Sequence, residues 1–316
     1  IAMHIWDALG AVGVRFLPSP NNPFEQISED PAFPVDYTQF PRETLRRKSG
    51  ECDDLVTLIA SMLEGATVKT ALLDYPGHIA LMFDTGASDA AEVGLPAGAL
   101  IRYKGSLWIP LEATLVGSPF HEAVRKALSA YREMVKDGKA AIIDPRVAWE
   151  TYEPATHPAS EAPIQTPDAA DVAKRFDEES KAYLKARFEY LSERLKKRIA
   201  KDETNPELAN ELGIVYIQHG RTEEAVKEFT RASELDPRNA AALTNLGNLS
   251  YMEGKFDEAL AHYQKAADED PQDAGLWMNL TRAALKSGKA AEAGEFSKKA
   301  LALDPGLEPA VQSLLK

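Results

Sequence analysis

Two hydrophobic patterns divide the chain near residue 153. Before that point, short β-rich apolar runs alternate with turn residues, whereas residues 52–64 carry apolar side chains at helical spacing. The predicted strands cover residues 68–74, 79–83, 100–103 and 107–111. After residue 167, charged helical patterns follow one another almost without strand signal. The pattern therefore predicts an α+β domain followed by an all-α one.

The all-α part repeats itself at an interval of 34 residues. Three kinds of landmark keep this interval: Gly220, Gly254 and Gly288; Pro237, Pro271 and Pro305; Ala225, Ala259 and Ala293. The sequence resembles three tetratricopeptide (TPR) repeats, in which small residues let helices approach and proline ends the second helix. The resemblance implies a superhelix that binds a protein or peptide partner.

These patterns predict four regions along the chain. An α+β domain covers 1–153, and a proline-rich linker covers 154–167. One long amphipathic helix bridges the two parts over 168–204, and 205–316 holds the three repeats with the start of a capping helix.

Composition restricts the kinds of partner that this chain can bind. The formal net charge of −13 argues against nucleic acid, which needs a basic surface. No apolar run reaches the roughly 18 residues that a membrane span requires. The sequence starts at Ile1 without a visible signal peptide, so the compartment stays open, with a bacterial periplasmic location if a signal has been lost. The one cysteine, Cys52, is either a small buried hydrophobe or a chemical group.

Cys52 falls in the first turn of the predicted 52–64 helix, where the helix dipole stabilises a thiolate. His78 opens a strand, and Glu112 ends the strand after the next turn. The surrounding motifs are PRETL…GECDDL, PGH and WIPLEAT. They resemble the transglutaminase-like superfamily of papain-type cysteine enzymes over residues 5–150. The resemblance implies an α+β papain-like fold with Cys52 as nucleophile, His78 as base and Glu112 as the carboxylate, where that family has aspartate.

The implied activity is that of a cysteine amidohydrolase or peptidase that transfers an acyl group through a thioester. Oxyanion donors are expected at the Cys52 N–H and in the segment before Pro41, with Gln39 as the candidate. Two alternatives stay open: a catalytically degenerate adaptor that only binds, and a transglutaminase that cross-links proteins.

No cofactor is predicted, with one alternative. The acids Glu51, Asp53 and Asp54 fit a first helical turn and complement the dipole there. A related peptidase family binds calcium through acids flanking its nucleophile, and Glu51 and Asp53 flank Cys52 in the same way. Two acids are few for calcium, which takes six to eight oxygen ligands.

The repeats offer a second candidate site on their concave face. Asn245 and Asn279 occupy equivalent positions of consecutive repeats, and Asn248, Arg282 and Lys286 share their helical face. We expect the asparagines to hold a peptide backbone, and the two cations to receive an acidic end or a C-terminal carboxylate.

Overall fold

The computed structural model describes residues 1–18, 38–151, 153 and 164–314. It divides into two compact units, Ile1–Arg187 and Phe188–Lys316. Most of the predicted linker 154–167 lies outside the described residues. The units separate inside a long helix rather than at the linker, because the first part of that helix packs on the first unit: the Tyr183 hydroxyl donates to the Val93 carbonyl at 2.7 Å.

The first unit combines helices with a small antiparallel sheet. Its helices are α1 (Ala2–Val12), α2 (Pro41–Arg47), α3 (Cys52–Gly65), α4 (Ala90–Val93), α5 (Phe120–Lys136), α6 (Pro145–Trp149) and the start of α7 (Ala169–Ile199). Its strands are β1 (Arg15–Phe16), β2 (Ser49–Gly50), β3 (Thr70–Tyr75), β4 (His78–Asp84), β5 (Ile101–Tyr103), β6 (Ser106–Leu111) and β7 (Ala141–Ile143). The sheet order is β5-β6-β4-β3-β7, and β1 pairs with β2 in parallel.

Both faces of the five-stranded sheet are covered. The apolar stripe of α3 buries Leu55, Leu58 and Ile59 against the face that carries Leu81 and Leu111. The opposite face, with Ala80 and Met82, packs with Leu128 of α5. Alternation along β4 sends successive side chains to these two cores, as period two requires. The sheet therefore fixes where β4 and β6 end, and these ends carry His78 and Glu112.

The second unit is a stack of antiparallel helix pairs. It contains the end of α7, then α8 (Pro206–Gln218), α9 (Thr222–Leu235), α10 (Ala240–Met252), α11 (Phe256–Glu269), α12 (Ala274–Lys286), α13 (Ala290–Leu303) and α14 (Glu308–Leu314). The side chains of Asn205, Asn239 and Asp273 cap the first helix of each repeat by accepting from a backbone N–H. Gly247 sits where an added Cβ would meet the Tyr263 ring at 2.5 Å, so glycine permits the close pairing of α10 with α11.

The predicted bridging helix is shorter than expected. It ends at Ile199 rather than residue 204, and the chain then turns into the Asn205 cap of α8. Its last turns belong to the repeats, because Leu195 and Ile199 are buried against Leu208 and Leu212. The final helix α14 follows the third repeat and buries Val311.

Candidate functional site

The start of α3 is built around the carboxylate of Asp54. This buried side chain accepts from the Gln39 backbone N–H at 2.6 Å, from Gln39 Nε2 at 2.6 Å and from the Glu51 N–H at 3.0 Å. A Cβ on Gly50 would lie 2.6 Å from Asp54 Cβ, so only glycine leaves room for this arrangement. Cys52 follows as the first residue of the helix, one residue after the cap position Glu51. The GECDD motif thus places the thiol at a fixed helix N-terminus.

His78 is set by a tight turn between β3 and β4. Gly77 takes a φ of 72°, a conformation that suits glycine, and the turn pairs Tyr75 with His78 across the strands. The Tyr75 and His78 rings lie nearly parallel, with their centroids 6.2 Å apart. The Tyr75 hydroxyl is buried and has no hydrogen-bond partner among the described residues. The turn and the ring beneath it restrict where the imidazole can point.

Glu112 lies directly after β6 and is almost completely buried. Its Oε2 is 2.8 Å from His78 Nε2. Its Oε1 accepts from the Thr114 hydroxyl at 2.7 Å and from the Thr114 N–H at 3.1 Å. The two carboxylate oxygens therefore have separate partners, one in the histidine and one in the threonine.

The electrostatics of these residues connect Cys52 with His78. Hydrogen bonding with the Cys52 thiol, and then with Glu112, raises the pKa of His78 to about 10 against the opposing effect of burial. Burial raises the pKa of Glu112, but the hydrogen bonds from His78 and Thr114 outweigh it and keep that pKa below its usual value. Since Nε2 faces Glu112, the other ring nitrogen is the one available to the thiol.

Cys52 and His78 open into one pocket of about 350 Å³. The remaining lining residues are Phe16, Pro18, Glu51, Gly77 and Thr114. The structure thus brings together Cys52, His78 and Glu112, which lie on three separate elements of the sequence. Gln39 does not line this pocket, because both of its nitrogens donate to Asp54.

The acids proposed for calcium have other partners. Asp53 Oδ2 accepts from the Thr38 hydroxyl at 2.7 Å, and the Glu51 side chain accepts from the Asp54 backbone N–H in a capping box. Within residues 1–18, 38–151, 153 and 164–314, no group of three or more histidine, cysteine or acidic side chains is arranged to hold a metal ion.

The predicted groove residues mostly come together on the second unit. Asn245, Asn248, Asn279 and Arg282 line a groove of about 490 Å³, while Lys286 is exposed at the end of α12 outside that lining. Apolar side chains share the lining, including Ile214, Met252 and Tyr263. The repeat pattern does not identify these apolar residues as part of the groove. In the structure, Met252 is 78% exposed.

Two of the groove asparagines already have partners inside the unit. Asn245 Nδ2 donates to Asn210 Oδ1 at 2.9 Å, and Asn248 Oδ1 accepts from the Tyr263 hydroxyl at 2.8 Å. Each keeps one end of its amide for a ligand. At the first repeat, Glu211 is paired with Arg198 at 2.9 Å.

The comparisons with known proteins assign the second unit. Two models of the tetratricopeptide repeat match residues 210–274 and 250–316. The chain therefore carries tetratricopeptide repeats over 210–316, and the described residues are mostly helical, with a five-stranded sheet and a two-stranded one. The prediction of a protein or peptide partner is confirmed at the level of this repeat family. Both models lie within the repeats, so they support the protein-interaction part of the sequence prediction and give the transglutaminase-like part no support.

Several solved structures are similar to part of the chain. The MamA protein is 23% identical, with 44% of this chain and 72% of that chain covered and a TM-score of 0.35. YrrB, described as a TPR protein with an unusual peptide-binding site, is 22% identical, with 46% and 74% covered and a TM-score of 0.36. The N-terminal domain of stress-induced protein-1 from C. elegans is 23% identical, with 35% and 94% covered and a TM-score of 0.32.

No curated protein matches the chain. In the parts of the chain that the structure describes, none of the helices combines the length and apolar character needed to cross a lipid bilayer.

Proposed function

We propose that this chain is a repeat-based adaptor whose first unit is a transglutaminase-like cysteine amidohydrolase or peptidase. The observation that carries the proposal is the geometry around His78, whose Nε2 is 2.8 Å from Glu112 Oε2 and which lines one pocket with Cys52. Thiol, imidazole and carboxylate in this order are the parts of a cysteine acyl-transfer site.

Each residue has one role in the proposed reaction. His78 takes the proton of Cys52, and the sulfur attacks the carbonyl carbon of an amide. The C–N bond breaks as His78 returns its proton to the leaving amine, and a thioester remains on Cys52. Water, deprotonated by His78, then cleaves the thioester to an acid and the free thiol. An amine in place of water would give the cross-linked product of a transglutaminase.

Positioning groups complete this assignment. Glu112 orients His78 and stabilises its protonated form. The N–H of Cys52 at the start of α3 is the proposed oxyanion donor. Gln39 is assigned a different role from the one that its sequence position suggests: through Asp54 it holds the helix start in place.

The repeats are proposed to bring the protein substrate to this chemistry. Arg282 lines the groove at the third repeat, whereas Glu211 lies on the first repeat and is paired with Arg198. This charge difference favours a peptide that places an acidic residue or its C-terminal carboxylate near Arg282 and Lys286. Asn279, Asn245 and Asn248 would contact its backbone.

A non-catalytic adaptor is the second candidate, and the family matches favour it because they fall within the repeats. The two candidates differ in the chemistry of Cys52. A working site gives a rapidly alkylated thiol and amide hydrolysis, both lost in His78→Ala. A thiol that reacts no faster than that of free cysteine, in wild type and His78→Ala alike, would leave the adaptor function alone. Incorporation of a labelled amine would distinguish cross-linking from hydrolysis.

A further inference from the structure

We infer that Thr114 is a positioning residue for this site, acting on His78 through Glu112; the inference rests on the proposed function. Thr114 lies two residues after Glu112, in the turn Ala113–Leu115 that follows β6. Its hydroxyl and its backbone N–H both donate to Glu112 Oε1, at 2.7 and 3.1 Å.

The geometry explains why Glu112 needs a second partner. A carboxylate that is only 3% exposed must have its oxygens satisfied, and His78 reaches Oε2 alone. Thr114 satisfies Oε1 and so fixes the rotation of the carboxylate that turns Oε2 to the imidazole. The hydrogen bonds from Thr114 also contribute to keeping Glu112 ionised.

The position of Thr114 makes this role specific. Its side chain lines the same pocket as Cys52 and His78, so it connects the buried carboxylate to the site. Among the described residues, ionisable groups near the pair include Cys52 and Glu51 at the start of α3 and Tyr75 on β3, with Tyr131 of α5 acting on Tyr75.

A threonine elsewhere in the first unit provides a matched control. Thr70 donates through its N–H and its hydroxyl to one carboxylate oxygen of Glu64, at 2.6 and 2.9 Å. This is the same two-bond arrangement outside the Cys52 pocket. Thr70→Val therefore removes an equivalent hydroxyl and leaves the proposed site alone.

The test is the alkylation rate of Cys52 by iodoacetamide from about pH 5 to about pH 10, in wild type, Thr114→Val, Thr114→Ser and Thr70→Val. Because Cys52 is the one cysteine in the chain, the rate reports this thiol alone. We expect Thr114→Val to lower the rate about tenfold near pH 6, the size of a hydrogen bond to a charged group. Thr114→Ser should restore it, and Thr70→Val should match wild type.

An NMR titration of His78 separates this inference from the proposed function. Thr114→Val should lower the pKa of His78 and Thr114→Ser should restore it, whether or not Cys52 is reactive. An ordinary thiol in wild type together with this shift would contradict the proposed function and support the positioning role. An unchanged His78 titration in a folded Thr114→Val, with its circular dichroism melt intact, would overturn the role of Thr114.

Discussion

At the scale of single residues, Glu112 joins His78 to Thr114 in the candidate site. It is buried, its two oxygens serve His78 and Thr114, and it replaces the aspartate that the motif resemblance implies. The longer side chain reaches the imidazole from a position just past the end of β6. The exchange of aspartate for glutamate is thus compatible with the hydrogen bond to His78.

The pair of His78 and Glu112 predicts a pH-dependent contribution to stability. The pKa of His78 rises from 6.5 to about 10 on folding, so its contribution is complete below pH 6.5 and disappears as the pH rises through about 10. The pKa of Glu112 is held below 4.5, so its contribution is lost as the pH falls through that lower value. Glu112→Gln should lower the free energy of unfolding by about 1–2 kcal/mol near neutral pH, measured by urea denaturation.

The control for this prediction is the pH at which wild type and Glu112→Gln no longer differ in their free energy of unfolding. Wild type and Glu112→Gln should converge above about pH 10, where His78 is neutral in both. A difference that stays constant from neutral pH to this limit would show that the pair is not ionic.

Under the proposed function, Cys52→Ala should abolish any amidase activity while changing the melting temperature little. Cys52 lies at a helix start beside a pocket and is only partly buried, so few packing contacts are lost. Activity on a model amide and a thermal melt check both statements. The control is Ala60→Gly in the same helix. It should lower the free energy of unfolding by about 1 kcal/mol, and the melting temperature with it. A large loss of stability in Cys52→Ala, without activity in the parent, would assign the cysteine to packing.

The sequence predicts these three site residues because cysteine, histidine and glutamate stand at element ends in a recognisable order. Thr114 and Tyr75 could not be predicted in the same way. Each contacts its partner through a turn geometry, and nothing in the residue types marks a threonine two positions after a glutamate as its hydrogen-bond donor. Gln39 shows the converse: its position near Pro41 suggests an oxyanion donor, but the Asp54 carboxylate binds both of its nitrogens.

At the scale of elements, the start of α3 depends on the close approach of Gly50 to the Asp54 side chain. Gly50→Ala would place a Cβ 2.6 Å from Asp54 Cβ and 2.9 Å from Asp54 Oδ2, where no carbon can stay. We expect a loss of about 1–3 kcal/mol in the free energy of unfolding, together with slower alkylation of Cys52 as the helix start shifts. Urea denaturation and the alkylation rate measure the two effects.

Gly65 at the other end of the same helix is the control for this change. A Cβ there meets nothing within 4 Å, and Ala is the better helix former. Gly65→Ala should leave stability unchanged or raise it by up to about 1 kcal/mol. Equal losses in both variants would show that Asp54 does not determine the helix start.

Element boundaries divide into those that the sequence determines and those that it does not. The 34-residue interval predicts every helix pair of the repeats, because glycine and proline positions recur with the caps. The turn at Lys104 and Gly105 is likewise readable, and both residues take positive φ. Strand β7 is not predicted from the sequence, because it is only three residues long and is defined by its pairing with β3.

At the scale of the whole molecule, the groove predicts charge-dependent binding. Arg282→Glu combined with Lys286→Glu should weaken binding of an acidic peptide to the full chain about tenfold and reduce its salt dependence. Fluorescence anisotropy with a labelled peptide, with and without C-terminal amidation, distinguishes an acidic side chain from a free carboxylate. Lys298→Glu is the control, because this exposed residue pairs with Glu295 on α13, whereas Arg282 and Lys286 share one face of α12. Unchanged affinity in the double variant would make the groove prediction wrong.

The division into units is the part of the architecture that sequence composition describes least well. The prolines of the predicted linker mark a change in composition near residue 153, whereas the compact units divide at Arg187. The difference arises because α7 has two unlike halves. Glu179 accepts from the Phe120 N–H at 2.7 Å in the first unit, and Leu195 is buried among the repeats. A helical periodicity that runs through both halves cannot show this change of partner.

The strand order β5-β6-β4-β3-β7 has a consequence for how the first unit is made. Helix α3 and the β3–β4 hairpin hold Cys52 and His78, and β6 leads into Glu112; all of these segments precede β7 in the chain. Strand β3, however, keeps one open edge until Ile143 arrives to pair with Leu72. An open edge can pair with a strand of another chain, and contacts distant in sequence form slowly. Until the three residues of β7 pair, β3 therefore has an edge that a strand of another chain could join. Once they pair, the open edge of the sheet lies one strand further from the β3–β4 hairpin that carries His78.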